Sequence, residues 1–188
     1  MCKNPNVGNR VTMKSNDRGV FMIKRLKWLG VVVAALVLGG CAHPDFIKVG
    51  QSAQEVKVEL GAPDGKLVNA DGSFVLVYSD QPFGQEVWWM HFDQNGRFVR
   101  KERALNEEHF KLVIPGQHTK KEVFQMFGRC AQEYTFHLID EHAFMYRFQE
   151  PGSMNMAWWV QFNEQGIVTE TAVTQDPWEH DRDPLWNI

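Results

Sequence analysis

Two stretches of the chain, Trp88–Gly96 and Trp158–Gly166, share the pattern Trp-Trp-x-x-Phe-(Asp/Asn)-x-x-Gly. Their surroundings repeat as well. Gly50-Gln51 is followed by Glu55-Val56-x-x-x-Leu60-Gly61, and Gly116-Gln117 by Glu122-Val123-x-x-x-Phe127-Gly128. The offset is 66 at the first glycine, 67 at the second, 68 between Tyr78 and Tyr146, and 70 at the tryptophans. A slowly growing offset is the mark of a duplication with small loop insertions. The fold must therefore satisfy one set of local rules twice within 188 residues.

Each unit opens with a helical signal. Ser52–Leu60 and Thr119–Phe127 carry apolar pairs at helical spacing, Val56 with Leu60 and Val123 with Phe127. Ser52 and Thr119 are N-cap types, and Thr119-x-x-Glu122 has capping-box spacing. Gly61 and Gly128 stand where a helix ends, and Pro63 prevents its resumption. Helices this short are marginal alone, so they must pack on something. The partner is a sheet: Ser73–Ser79 and Ala143–Phe148 are rich in β-favouring residues, and Glu86–Asp93 and Trp158–Asn163 follow. Asn95-Gly96 and Gln165-Gly166 are turn signals leading into Phe98–Arg103 and Ile167–Val173. The spacing predicts an α+β fold of two tandem units, each with short helices packed on one face of an antiparallel β-meander. Unit one spans 46–103, a linker that is helix or loop spans 104–111, and unit two spans 112–174. The remaining 175–188, with two tryptophans and two prolines, is either a tail strapped over the domain by Trp178 and Trp186 or a segment that folds on a partner.

Adjacent residues on a strand point to opposite faces, so both tryptophans of a pair cannot share one core. Trp88, Met90 and Phe92, with Trp158, Val160 and Phe162, form the apolar rows that should meet the helices. Trp89, His91 and Asp93, with Trp159, Gln161 and Asn163, form the wet rows. The expectation is that Trp89 and Trp159 stand on open faces. There they either cover a neighbouring strand or the tail, or serve with His91, Gln161, Trp178 and Trp186 as a partner-binding surface.

The N-terminal part reads as targeting sequence. Met22–Trp28 is basic, Leu29–Leu38 is apolar, and Leu38-Gly39-Gly40-Cys41 follows. Ten apolar residues are short for a membrane span and suit a secretory signal over 22–40. Residues 1–21 read as an over-extended start, and 41–45 as a tether. From Cys41 onward there are 13 Lys and Arg against 22 Asp and Glu. Such an acidic chain lacks the basic stripe that nucleic acid requires. Cys130 is the one thiol beyond Cys41, which leaves no internal disulfide in the mature chain.

Little in the sequence points to catalysis. His137, Asp140, Glu141 and His142 are metal-ligating types, but they lie between strands, where Asp140-Glu141 suits a turn. His91 reads as a surface residue rather than a base, no serine has a nucleophile-elbow setting, and no glycine loop suits phosphate. No metal, cofactor or small-molecule substrate is expected, and the chain reads as no enzyme.

Leu38–Cys41 resembles the lipobox of bacterial lipoproteins, in which the cysteine is lipidated. Gly50-Gln51-Ser52-x-x-Glu55-Val56-x-x-x-Leu60-Gly61-x-Pro63, with strands ending in aspartate–turn–glycine, resembles the SmpA/OmlA (BamE-like) lipoprotein family, once per unit over most of Phe46–Val173. That resemblance implies a periplasm-facing outer-membrane lipoprotein with its lipid on Cys41, related in fold to β-lactamase-inhibitor-protein-like domains. Ala42, rather than aspartate, after the lipidated residue implies export to the outer membrane. It also implies a non-catalytic scaffolding role among envelope proteins, including β-barrel assembly. Two units where the assembly factor has one, and Cys130 in place of Pro63, are departures. A periplasmic inhibitor that grips a soluble enzyme through paired sheets is the other function class.

Overall fold

The computed structural model describes residues 43–136, 141–149, 152 and 154–180. The signal segment, Cys41, His137, Asp140 and Trp186 lie outside the described residues. Among the described residues no helix is long and apolar enough to cross a membrane.

The two units are there, and their elements match. In unit one, α1 (Ala53–Leu60) precedes a meander of β1 (Gly65–Val68), β2 (Phe74–Ser79), β3 (Val87–Phe92) and β4 (Phe98–Arg103). The linker forms a single helical turn, α2 (Glu107–Phe110), capped by Asn106. Unit two repeats the order with α3 (Lys120–Phe127), β5 (Gln132–Phe136), β6 (Glu141–Gln149), β7 (Asn155–Phe162) and β8 (Val168–Gln175). A last turn, α4 (Pro177–His180), follows. Each sheet is four-stranded and antiparallel in sequence order, with β1 and β5 preceding the three strands legible in each unit's sequence. The fold is α+β in two tandem units.

The repeated residues have repeated jobs. Capping boxes close the first turn of α1 (Ser52 with Glu55) and of α3 (Thr119 with Glu122). Tyr78 donates its hydroxyl to the Gly61 carbonyl, and Tyr146 to the Gly128 carbonyl, satisfying helix-end acceptors that have no partner within the helix. Asp93 and Asn163 each accept from backbone N–H groups across the following turn, at Arg97 and Ile167. A bulge after His91 and after Gln161 completes the likeness.

The layers, however, are shared between units. Trp88, Met90, Phe92 and Leu76 pack on Val56 of α1, as alternation predicts. Trp158, Val160 and Phe162 pack with Tyr146 and Phe148 on Val123 and Phe127 of α3. The same cluster takes in Val75, Val77, Val87 and Trp89 from the opposite face of sheet one. α3 is therefore sandwiched, and the order of layers is α1, sheet one, α3, sheet two. Gly65 marks the closest approach, since a Cβ there would lie 2.2 Å from the Gln125 carbonyl oxygen of α3. The carbonyls at the end of α3 are received by sheet one: Trp89 Nε1 donates to Met126 O (2.6 Å) and Ser79 Oγ to Arg129 O (2.6 Å).

Candidate functional site: the outer face and edge of the second sheet

Trp89 is not on an open face. It is 7% exposed, its indole N–H is spent on α3, and the His109 ring stacks on it at 4.2 Å. The expectation of two equivalent exposed tryptophans fails because unit two's helix, not solvent, covers that side of sheet one. His91, on the same row, is half-buried with Nε2 2.6 Å from Glu102 Oε1.

Trp159 keeps the place that alternation gave it. Among the described residues no further unit lies above the matching face of sheet two, which carries Tyr134, Ala143, Met145, Arg147, Ala157, Trp159 and Gln161. Trp159 and Gln161 are half-buried. Tyr134 lies 5.3 Å from the Trp159 ring, and Trp159 Nε1 donates to Thr174 Oγ1 (2.9 Å). Met145 and Ala157 are buried beneath Tyr134, Trp159 and Trp178.

Three residues that sequence reasoning passed over hold one end of this face. Arg147 Nε donates to Asp176 Oδ2 at 2.7 Å, with the two residues 5% and 0% exposed. Asp176 also caps α4 by accepting from Trp178 N–H, and Trp178 lies over the Arg147 guanidinium at 4.5 Å. The first part of the tail is thus strapped down, by an ion pair as much as by Trp178. The backbone of Arg147, beyond the last β5–β6 pair, is closed by the buried side-chain amide of Gln81. Its Nε2 donates to Arg147 O (2.6 Å), and Arg147 N–H donates to its Oε1 (3.4 Å). A side-chain amide here takes the place of a strand. The one sequence signal was Arg147 itself, a charge on a strand whose alternation puts it beside Trp159.

On the helix side of the same sheet, a cavity of about 200 Å³ opens beside edge strand β8. It is lined by Phe110 and Val113 below α2, by Trp158, and by Thr171 and Val173, with Glu107 and Lys111 at its rim. Phe110 stacks on Trp158 at 4.2 Å.

His43, Asp80 and Glu86 bring three metal-ligating side chains within 4.8 Å of one another. His43 and Glu86 are already engaged elsewhere. His43 Nδ1 accepts from Asp45 N–H, and Glu86 holds Arg103 and the Trp88 indole N–H. Burial, and then Glu86, push the Asp80 carboxyl above its ordinary pKa. The cluster ties the start of the folded chain to β3 and β4.

No family model matches the chain, and no curated protein matches it. Among solved structures, a crystal structure of an extracellular protein containing a SCP domain from Bacillus anthracis aligns over 68% of this chain and 44% of that one. The identity is 11% and the TM-score 0.26, a likeness that carries no argument.

Proposed function

We propose that the chain is a non-catalytic lipoprotein of the bacterial outer membrane, anchored through Cys41 and facing the periplasm. There it binds envelope proteins as a scaffolding factor, with β-barrel assembly or envelope integrity as its setting. The lipobox and the resemblance to SmpA/OmlA (BamE-like) proteins support the compartment. One observation supports the binding role: the face that sheet one gives to a helix recurs on sheet two with Trp159 half-exposed and, among the described residues, no further unit over it. A partly buried tryptophan at a surface is the kind of residue whose full burial by a partner is worth ~2 kcal/mol or more.

His43, two residues beyond Cys41, already packs against Trp88. Two residues reach at most ~7 Å, so lipid on Cys41 would hold the domain against the bilayer surface. This suits a factor whose partners are themselves in the membrane. A concave grip on a soluble enzyme would need both sheets' outer faces, and Trp89's face is under α3.

The test is crosslinking in the native membrane from a photoreactive residue at position 159, with adducts identified by mass spectrometry. Adducts with outer-membrane proteins are expected. Adducts confined to a soluble periplasmic enzyme, or to the chain's own tail, would overturn the reading.

A further inference from the structure

The edge of sheet two differs from that of sheet one in a way that points to a ligand. Arg103 and Val173 are the equivalent cross-strand partners of Trp88 and Trp158, and Lys101 and Thr171 are the partners of Met90 and Val160. In unit one the two cations fold over the Trp88 ring at 5.3 and 5.7 Å. Lys101 goes on to the Pro44 carbonyl, and the Arg103 carbonyl is taken by Asn106 Nδ2. That edge, Phe-Val-Arg-Lys-Glu-Arg, has the charged guard by which proteins keep a strand from pairing with another chain. In unit two both cations are missing, and Glu170 is the one charge on the strand. Thr171 and Val173 are short, Phe110 stacks on Trp158 where unit one has cations and leaves it 1% exposed, and a cavity lies between Phe110 and β8.

The backbone of β8 is open at the same place. The Asp176 N–H bond to Asn155 O sets the phase of the β7–β8 ladder. Hydrogen-bonded and non-hydrogen-bonded pairs alternate in an antiparallel ladder. Residues 170, 172 and 174 therefore bond to β7, while Thr171 and Val173 turn N–H and C=O outward, without partners among the described residues. Upstream the edge is closed, because Val168 exchanges bonds with Gly116 and His118. The free stretch thus begins just past a natural stop, and Val173 on it is 44% exposed.

We propose that β8 is a strand-addition site: an extended segment of a partner protein pairs with residues 170–175 and places one large apolar side chain in the cavity between α2 and β8. The open backbone groups select a strand, since a helix has no spare N–H groups along its length to offer them. The cavity selects the side chain. At about 200 Å³ it is below the ~300–1,000 Å³ of small-molecule pockets and suits a single phenylalanine or leucine. Glu107 and Lys111 at the rim fit a segment whose flanking residues are polar. The proposal rests on the reading of the chain as a protein-binding module and names the form of its partner.

The probe is the labelled heptapeptide Thr-Val-Thr-Phe-Thr-Val-Thr, with versions carrying Leu, Ala or Lys at the centre, titrated by fluorescence anisotropy into the full chain in detergent. The Phe and Leu peptides should bind at least tenfold more tightly than the Lys peptide. Hydrogen exchange in the 169–175 segment should slow on binding. Thr171→Lys with Val173→Lys, which restores the guard of unit one, should weaken binding at least tenfold while cooperative thermal unfolding is retained. Equal binding of all four peptides, no binding, or binding untouched by the double variant would overturn the proposal. So would a concentration-dependent dimer that vanishes in the double variant, since the edge would then belong to a second copy. A native partner crosslinked at position 159 without peptide binding would remove the strand-addition site and leave the scaffold reading standing.

Discussion

Burial, and then the charge of Glu133, push the Cys130 thiol up to about 11. At pH 8 about one molecule in a thousand would carry the reactive thiolate. If Cys41 is capped as the proposed lipidation requires, iodoacetamide should therefore modify Cys130 at least about tenfold more slowly than an exposed cysteine peptide. Intact-mass labelling before and after denaturation checks this, and equal rates would contradict the burial. His91 gives the pH dependence. Burial lowers its pKa, and the hydrogen bond with Glu102 recovers only part of that loss. A group harder to protonate when folded contributes stability that is fully present above its unfolded pKa of ~6.5 and is lost as pH falls below it. The Glu102 carboxyl is pulled up by burial and down, to a greater extent, by its bonds with Arg100 and His91. Its own contribution is lost only at lower pH, as the medium passes through its depressed folded value. Between pH 7.5 and 5.5 the urea midpoint should fall, and His91→Gln, which copies Gln161 of unit two, should flatten that fall. An undiminished fall in the variant would place the sensitivity elsewhere.

At the scale of elements, α3 joins the two units, and Gly65 is what lets it come close. Gly65→Ala would drive a methyl into the Gln125 carbonyl and should cost about 1–3 kcal/mol in urea unfolding. Gln132→Ala, at the equivalent and exposed position of β5, should stay within ~0.5 kcal/mol. Similar costs at the two sites would mean that the layers are not stacked as described. Here the limits of sequence reading have a physical cause. Helix caps, hairpin turns and strand alternation act over a few residues, so Ser52, Thr119, Gly96 and the opposed faces of Trp88 and Trp89 were legible. What covers a face is decided by chain some 40 residues away, and alternation carries no information about that layer. Gly65 against Gln132, and Ser79 against Arg147, are two of the places where the repeats disagree. They are also the places where α3 meets sheet one and the tail meets sheet two. The cavity beside β8 was missed for the same reason, since it follows from Lys101 and Arg103 becoming Thr171 and Val173 on an edge strand whose sequence is not repeated.

For the whole molecule, the duplication produced one stack with two unlike ends. Sheet one is covered on both faces. Sheet two keeps an outer face with Trp159, held at one end by Arg147 and Asp176, and an edge with open backbone groups. This asymmetry is the centre of the account, and the two equivalent tryptophans test it directly. Trp89→Ala and Trp159→Ala should be compared by urea unfolding and by recovery of crosslinked envelope proteins. The account predicts a loss of about 3–5 kcal/mol for Trp89→Ala, the range for a large aromatic removed from a core. It predicts a loss of at most ~1 kcal/mol for Trp159→Ala, with partner recovery reduced at least about tenfold, as for a binding hot spot. A stable Trp89→Ala protein, or a Trp159→Ala protein that keeps all its partners, would contradict it.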